Sequence, residues 1–444
     1  MRSPQCLRRL HARISLHRLD LAKDARQSEI RRRVMQLLRS MERSWLAAAP
    51  AALCLMGGLL FSTVQQAAAR IEIVAPTVDA TQRLASRLFP LSVARGGSSN
   101  TIISPLSLGA ALYMAAGGAN GETEKAFRAA LEIGDGSSGD SVKRFGRQIR
   151  SIGSHDPKVI FRSVNGMWLA ANARPVPAYI ELLRNGFQAM VATEDFSKPK
   201  AVKDINDWFA RQTQQLIPNM VSQISADTRV ILANALYFKG QWTTPFPAGA
   251  TQPAPFRLAD GKTIDVPMMR RSDDGFQYSE TASYQAIRLP FGKGEFEVIV
   301  ALPKDGVDPA KNAGELTGAA NGQFSERPGR LSLPRLQLTA GGDVKGVLEA
   351  FGLKEPFSTA ADFSKLAKSR IKFDQVVHRV ALSWDEQGAE AAAGTAIVMT
   401  KTAALPADPF EMNVDRPFVF VLRHVKTGAA ILVGLVNDPR QGSS

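Results

Sequence analysis

Few residues in this 444-residue chain are of kinds that carry covalent catalysis, and no motif arranges them for it. No Gly-x-Ser-x-Gly turn, no His-Glu-x-x-His helix and no phosphate-cradling glycine loop occurs. Both cysteines, Cys6 and Cys54, precede residue 70, so the chain from Arg70 onward offers no thiol nucleophile, disulfide or zinc–thiolate site. Three histidines remain there, His155, His378 and His424, and no spacing points to a triad. What the residues do offer is a conformational chemistry. Trp384-Asp385-Glu386-Gln387-Gly388 runs into Ala389-Glu390-Ala391-Ala392-Ala393-Gly394-Thr395-Ala396, and then Ile397 to Pro409. Read with a period of two, Ala389, Ala391, Ala393, Thr395 and Ile397 share one face. Glu390, Ala392, Gly394, Ala396 and Val398 share the other. The only charge lies on the second face, so the first can be buried in a sheet without stranding an ion. Side chains this small would let a strand slide between two existing strands. The same alanines equally favour a helix, and the run alone does not choose.

The elements that would position this run begin after residue 70. Residues 1–43 carry twelve Arg and Lys against four Asp and Glu, a net of +8, leaving +6 of the total +14 for everything after. That remainder is too mild to imply a nucleic-acid partner. Ser44 to Ala69 contains no charge, has an apolar centre from Trp45 to Phe61, and ends in Gln65-Gln66-Ala67-Ala68-Ala69. A positive flank, an apolar segment and a small-residue end read as a secretory signal peptide over 41–69. The rival is a membrane anchor, against which Pro50 and the Gly57-Gly58 pair weigh. Residues 1–40 read as a basic leader or a misplaced start, with Met41 or Met35 the natural beginning. The expected location is secreted or periplasmic, with membrane anchoring as the alternative.

From 70 to 444 no repeat or low-complexity linker divides the chain, and about 375 residues can bury a large core. Periodicity predicts helices over Val78–Leu91, Pro105–Ala116, Gly121–Leu131, Ser141–Ile152 and Lys200–Thr213. It predicts strands over Val159–Leu169, Val230–Phe238, Ala286–Leu289, Phe296–Leu302, Arg330–Leu338, Val376–Trp384, Phe418–His424 and Ala429–Val436. Helices first and strands later around one core make an α+β domain.

Several segments in fixed order carry a resemblance. Asn100, Ser104, Pro105 and Ser107 stand in an Asn-x-x-x-Ser-Pro-x-Ser pattern. Asn206-Asp207-Trp208 and Asn234-Ala235-Leu236-Tyr237-Phe238-Lys239-Gly240-Gln241-Trp242 follow, then Val266-Pro267-Met268-Met269. Leu333-Pro334, Ala361-Asp362-Phe363-Ser364 and Val377-His378-Arg379 come next. Asp415-Arg416-Pro417-Phe418 and Gly434-Leu435-Val436-Asn437-Asp438-Pro439 close the series. Asn and His within strands are ordinarily paired core groups, and Trp242 is ordinarily packing. Together, from about residue 76 to Pro439, the chain resembles a serpin.

That resemblance implies a single domain with a large central, mostly antiparallel sheet, about eight to nine helices and an exposed reactive loop at about 386–409. It implies a suicide inhibitor of serine proteases that needs no cofactor or metal and is a monomer. The loop is cut as a substrate, and its hinge then inserts as a new strand of the large sheet while the protease is still attached. Loop insertion in serpins is an established example of strand addition and released strain. About a dozen new hydrogen bonds at roughly 1 kcal/mol each supply on the order of 10 kcal/mol. The hinge would be Glu386, Gly388, Ala389, Glu390, Ala391, Ala392, Ala393, Gly394 and Thr395, with Gly388 free to bend. Glu386 would bridge to a lysine, expected to be Lys239. Ala389 departs from the Thr or Ser usual there, without hindering burial. Asn100, Ser104, Pro105, Ser107, Asn234, Lys239, Trp242 and His378 would line the region where the sheet opens. Counting seventeen residues from Glu386 gives a scissile bond at Thr402-Ala403, suiting an elastase- or subtilisin-like protease. A loop one residue shorter gives Lys401-Thr402 and a trypsin-like one, and Met399 and Leu405 are further alternatives. A non-inhibitory serpin acting as a carrier, chaperone or sacrificial substrate is the second reading. Lys143, Arg144, Arg147 and Arg150 make one basic helix face, read as a solvated face or as a polyanion site.

Overall fold

Ser104-Pro105 starts the most deeply buried helix for a local reason. The Ser104 hydroxyl accepts from the Ser107 N–H at 3.0 Å, and Pro105 fills the first helical position, where no N–H is needed. The helix that follows is apolar all round and has almost no exposed face, as a core helix must. The computed structural model describes residues 75–134, 136–388 and 409–440. The leader, the hinge beyond Gly388 and both candidate scissile bonds lie outside the described residues.

Among the described residues there are eight α-helices and fourteen strands. The helices are α1 (Ala75–Gly96), α2 (Pro105–Gly118), α3 (Gly121–Ala130), α4 (Ser138–Ser151), α5 (Pro177–Phe187), α6 (Lys200–Gln212), α7 (Ala313–Gly318) and α8 (Lys345–Ala350). The strands are β1 (Thr101–Ile103), β2 (Val159–Ala170), β3 (Met190–Glu194), β4 (Val230–Gly240), β5 (Gln252–Arg257), β6 (Thr263–Glu280) and β7 (Tyr284–Phe291). They continue as β8 (Phe296–Pro303), β9 (Ser325–Pro334), β10 (Leu336–Asp343), β11 (Gln375–Trp384), β12 (Phe410–Asn413), β13 (Phe418–His424) and β14 (Ala430–Val436). Nine strands form a mostly antiparallel sheet in the order β1-β14-β13-β8-β7-β6-β9-β12, with β5 on β6. Five form a second sheet, β10-β11-β4-β2-β3.

The five-stranded sheet is covered on both faces, which explains the unbroken apolar run of β4. Leu232, Leu236 and Phe238 face the main core with α2, whereas Ile231, Ala233 and Ala235 face Ile205 and Phe209 of α6. Trp168 of β2 packs at 5.6 Å from Phe209 on that outer side. Gly109 of α2 lies against Phe145 of α4, and a Cβ there would come within 2.6 Å of the ring.

One expected strand, Arg330–Leu338, is two. β9 ends at Pro334 in the nine-stranded sheet, Arg335 stands between, and β10 begins at Leu336 in the other. The buried positions change phase there, from Leu331 and Leu333 to Leu336, Leu338 and Ala340. A one-residue phase slip turns every later side chain to the opposite face, and here it marks the crossing between sheets. Among the described residues no helix is long and apolar enough to cross a membrane.

Asn100 ties the chain's C-terminal end to the core. Its side-chain carbonyl accepts from the N–H groups of Asn437 and Asp438 at 2.7 and 2.9 Å, and its amide donates to the Asp438 carbonyl at 2.7 Å. Asn100→Ala leaves these buried backbone groups unpaired and is expected to cost about 2–4 kcal/mol, read as a lower urea midpoint with an unchanged slope.

Candidate functional site

β4 and β11 run parallel, with His378 the register partner of Asn234. Both side chains point toward α2, and a chain of hydrogen bonds joins them to its first turn. The His378 Nε2 accepts from the Ser104 N–H at 2.9 Å, which leaves the ring proton on Nδ1 to donate to Asn234 Oδ1 at 2.7 Å. Asn234 Nδ2 then donates to the Ser107 carbonyl at 2.7 Å. Ser104, Ser107, Asn234 and His378 are all fully buried. The structure therefore brings together four of the eight residues expected at the opening region. Pro105 sits beside them as the first residue of α2. Asn100 lies apart, at the end of the neighbouring sheet's last strand.

Trp242 and Lys239 belong to the other end of the seam. Trp242 stacks on Phe291 at 4.4 Å, and its indole N–H donates to the Asp385 carbonyl at 2.7 Å. Lys239 lies on β4 opposite Ile160 of β2. Beyond β11 the chain turns sharply: the Asp385 N–H donates to the Gly388 carbonyl at 2.6 Å and the Gly388 N–H returns to Asp385 at 3.2 Å. Gly388 has φ +112°, and a Cβ on it would lie 2.1 Å from the Gly240 carbonyl oxygen, so glycine is required twice over. The turned chain is already hydrogen-bonded to the end of β4. Gly388 forms an antiparallel bridge with Gln241, and the Trp242 and Phe246 N–H groups donate to Gln387 and Glu386 carbonyls at 2.8 and 2.7 Å.

Glu386 is held differently from expectation. Its partner is Arg335, the residue between the two sheets, whose Nε meets both carboxylate oxygens at 2.8 and 2.9 Å, and the Thr251 hydroxyl also donates to it. Arg335 is 51 positions away in the chain, and no local pattern could have nominated it over a lysine on β4. The sheet that the hinge adjoins is also the five-stranded one, not the larger one. Burial pushes the Glu386 carboxyl up, but the hydrogen bonds from Arg335 and Thr251 together outweigh it and hold the pKa below the usual value.

At the far end of the loop, Phe410 opens β12, stacked on Tyr278 at 3.9 Å over the Cβ-less Gly329. The sequence reading did not single out this anchor. On α4, Lys143 and Arg147 are exposed and Arg144 is half-buried. Arg150 donates to the carbonyls of Asn185, at 2.8 Å, and Gly186, so it caps the end of α5 as well as adding charge.

This architecture is that of a protein built around a sheet with a parallel seam and a chain turned back at its mouth. The serpin (serine protease inhibitor) family profile matches residues 79–439, and the chain belongs to the serpin family. An uncharacterized serpin-like protein of Thermococcus kodakarensis is 29% identical over 78% of this chain and 82% of its own length. Mouse plasminogen activator inhibitor 1 is 29% identical over 80% and 90%. Human thyroxine-binding globulin superposes with a TM-score of 0.76 at 22% identity, over 83% of this chain and all of that one. Inhibitors are thus among the relatives, and a thyroxine-binding globulin shares the fold.

The buried imidazole makes stability depend on pH. Burial pushes His378 down to about 3 in the folded chain, against about 6.5 when unfolded. The unfolded state therefore binds the proton first. The contribution of His378 to stability should be flat above pH 7.5 and fall between about pH 6.5 and 3, by at most about 1.4 kcal/mol per pH unit. His424, also lowered by burial, adds in the same direction. His378→Gln should be less stable at pH 7.5 but show a shallower decline in urea midpoint down to pH 5.

Proposed function

We propose that the protein is a suicide inhibitor of serine endopeptidases, trapping the protease as an acyl-enzyme while its cleaved loop inserts between β4 and β11. One observation carries the reading: Gly388 of the hinge is bridged to Gln241 and Asp385, the residues that directly follow β4 and β11, in agreeing registers. Extending the antiparallel Gly388–Gln241 bridge along β4 brings Thr395 opposite Asn234. Extending the Asp385–Gly388 bridge along β11 brings Thr395 opposite His378. Those two residues are themselves register partners across the seam. A strand entering there is antiparallel to both neighbours, so one parallel pairing is replaced by two antiparallel ones.

Cross-strand partners share a face. Ala389, Ala391, Ala393, Thr395 and Ile397 then point with Asn234 and His378 toward α2, and the face free of charge is the buried one. Glu390 points outward, opposite Lys239, so the lysine expected to hold Glu386 becomes the partner of Glu390. Parting β4 from β11 by one strand, about 4.8 Å on each side, must break the His378–Asn234 hydrogen bond. The Thr395 hydroxyl both donates and accepts, and stands where it can replace that bond on each side. The scissile bond proposed is Thr402-Ala403, with Lys401-Thr402 the rival, and the partner is an elastase- or subtilisin-like protease, or a trypsin-like one. The leader supports a secreted or periplasmic protein, and the family default supports a monomer.

Incubation with trypsin, chymotrypsin, elastase and subtilisin, followed by denaturing gels, is expected to show a stable complex of summed mass. The released C-terminal fragment should begin at Ala403, or at Thr402 for the rival bond. Loop cleavage without a complex across the panel would support the non-inhibitory reading instead. Ala391→Glu puts a charge on the buried face and should leave loop cleavage intact while the complex falls at least about tenfold, since burying an unpaired carboxylate costs several kcal/mol.

A further inference from the structure

Nine buried side-chain polar atoms among the described residues have no hydrogen-bond partner in the protein, and six of them lie on α2, α4 and β2, the elements behind the seam. They are Ser107 Oγ on α2, Gln148 Oε1 and Nε2 on α4, and Ser163 Oγ with Asn165 Oδ1 and Nδ2 on β2. α2 packs against both α4 and β2. Ser163 and Asn165 share one face of β2 with Met167 and Leu169, which pack in the core that holds α2. Asn165 is the cross-strand partner of Asn234, whose amide donates to the Ser107 carbonyl. Gly109 lies against Phe145 and Gly117 against Val142, so α2 and α4 are antiparallel and Gln148 lies toward the first turn of α2. Asn165 is 2% exposed, Gln148 6% and Ser107 fully buried.

A buried polar atom left unpaired costs more than an ordinary hydrogen bond gains, so both amide atoms of Asn165 and of Gln148 left without a protein partner call for another one. The groups are chemically matched to a neutral ligand: two amide N–H2 donors, two amide carbonyls, and two hydroxyls that both donate and accept. None is charged, and His378, which joins them through its hydrogen bond to Asn234, is held neutral by burial. We propose that they line an internal water site of at least about two molecules, at about three hydrogen bonds each, linking α4 and α2 to the strand beside the seam. The site keeps the polar floor under the seam hydrogen-bonded whether or not β4 and β11 are in contact. It does not depend on the protein's inhibiting a protease.

Oxygen-17 water relaxation dispersion on the full chain counts long-lived internal waters and provides the test. Wild type is compared with Asn165→Leu and with the double variant Ser163→Ala/Gln148→Met, which conserve volume closely. Both variants are expected to lose about one or more such waters and to unfold about 2 °C or more lower. An unchanged dispersion amplitude overturns the proposal. So does a rise in unfolding temperature, because apolar replacement relieves polar groups that were dry. If one variant fails to fold, the other and a high-resolution crystal structure of the wild type decide. Ordered solvent touching Asn165 and Gln148 is the expected result, and direct pairing of these side chains with one another overturns it.

Discussion

The hydrogen bond between His378 and Asn234, 2.7 Å long, adds a buried side-chain tie to the backbone ladder that pairs two parallel strands. Its strength matters less than its exclusivity. The ring proton is committed to Asn234 because the other ring nitrogen accepts from the Ser104 N–H, and that N–H belongs to the residue that caps α2. One serine thus starts the central helix and, through its backbone, fixes the tautomer that closes the seam. Burial keeps the ring neutral, so the arrangement is a set of ordinary hydrogen bonds in a dry place, where each is costly to leave unmade.

The second constraint is at the mouth of the seam. Gly388 passes so close to Gly240 and Gln241 that no side chain fits, and the turn is stitched to β4 before the loop proper begins. Glu386 is clamped there by Arg335 and Thr251 while remaining almost wholly buried. A buried carboxylate with its partner in place contributes little to stability, whereas one deprived of it is a large penalty. The clamp therefore acts chiefly to fix where the chain leaves β11.

Much of this was legible in the sequence where the cause is local. Ser104-Pro105 announces a capped helix, and the α6 pattern of Ala201, Ile205 and Phe209 announces a helix laid over a sheet. The ordered segments from Asn100 to Pro439 announced the family. What stayed hidden has no local signature. The Glu386–Arg335 pair joins residues 51 apart, and only the folded crossing between sheets makes them neighbours. The division of Arg330–Leu338 was visible only as a one-residue phase slip at Pro334, easily read as a continuous strand. The unpaired amides of Asn165 and Gln148 cannot be seen at all until three separate elements have packed.

Arg335 occupies the single position at which the chain steps from β9 into β10, and β10 pairs with β11 along its whole length. At this crossing the two sheets are joined by one residue, and its side chain grips the base of the hinge. β9, a strand of the nine-stranded sheet, is thereby one residue removed from the clamp that holds Glu386.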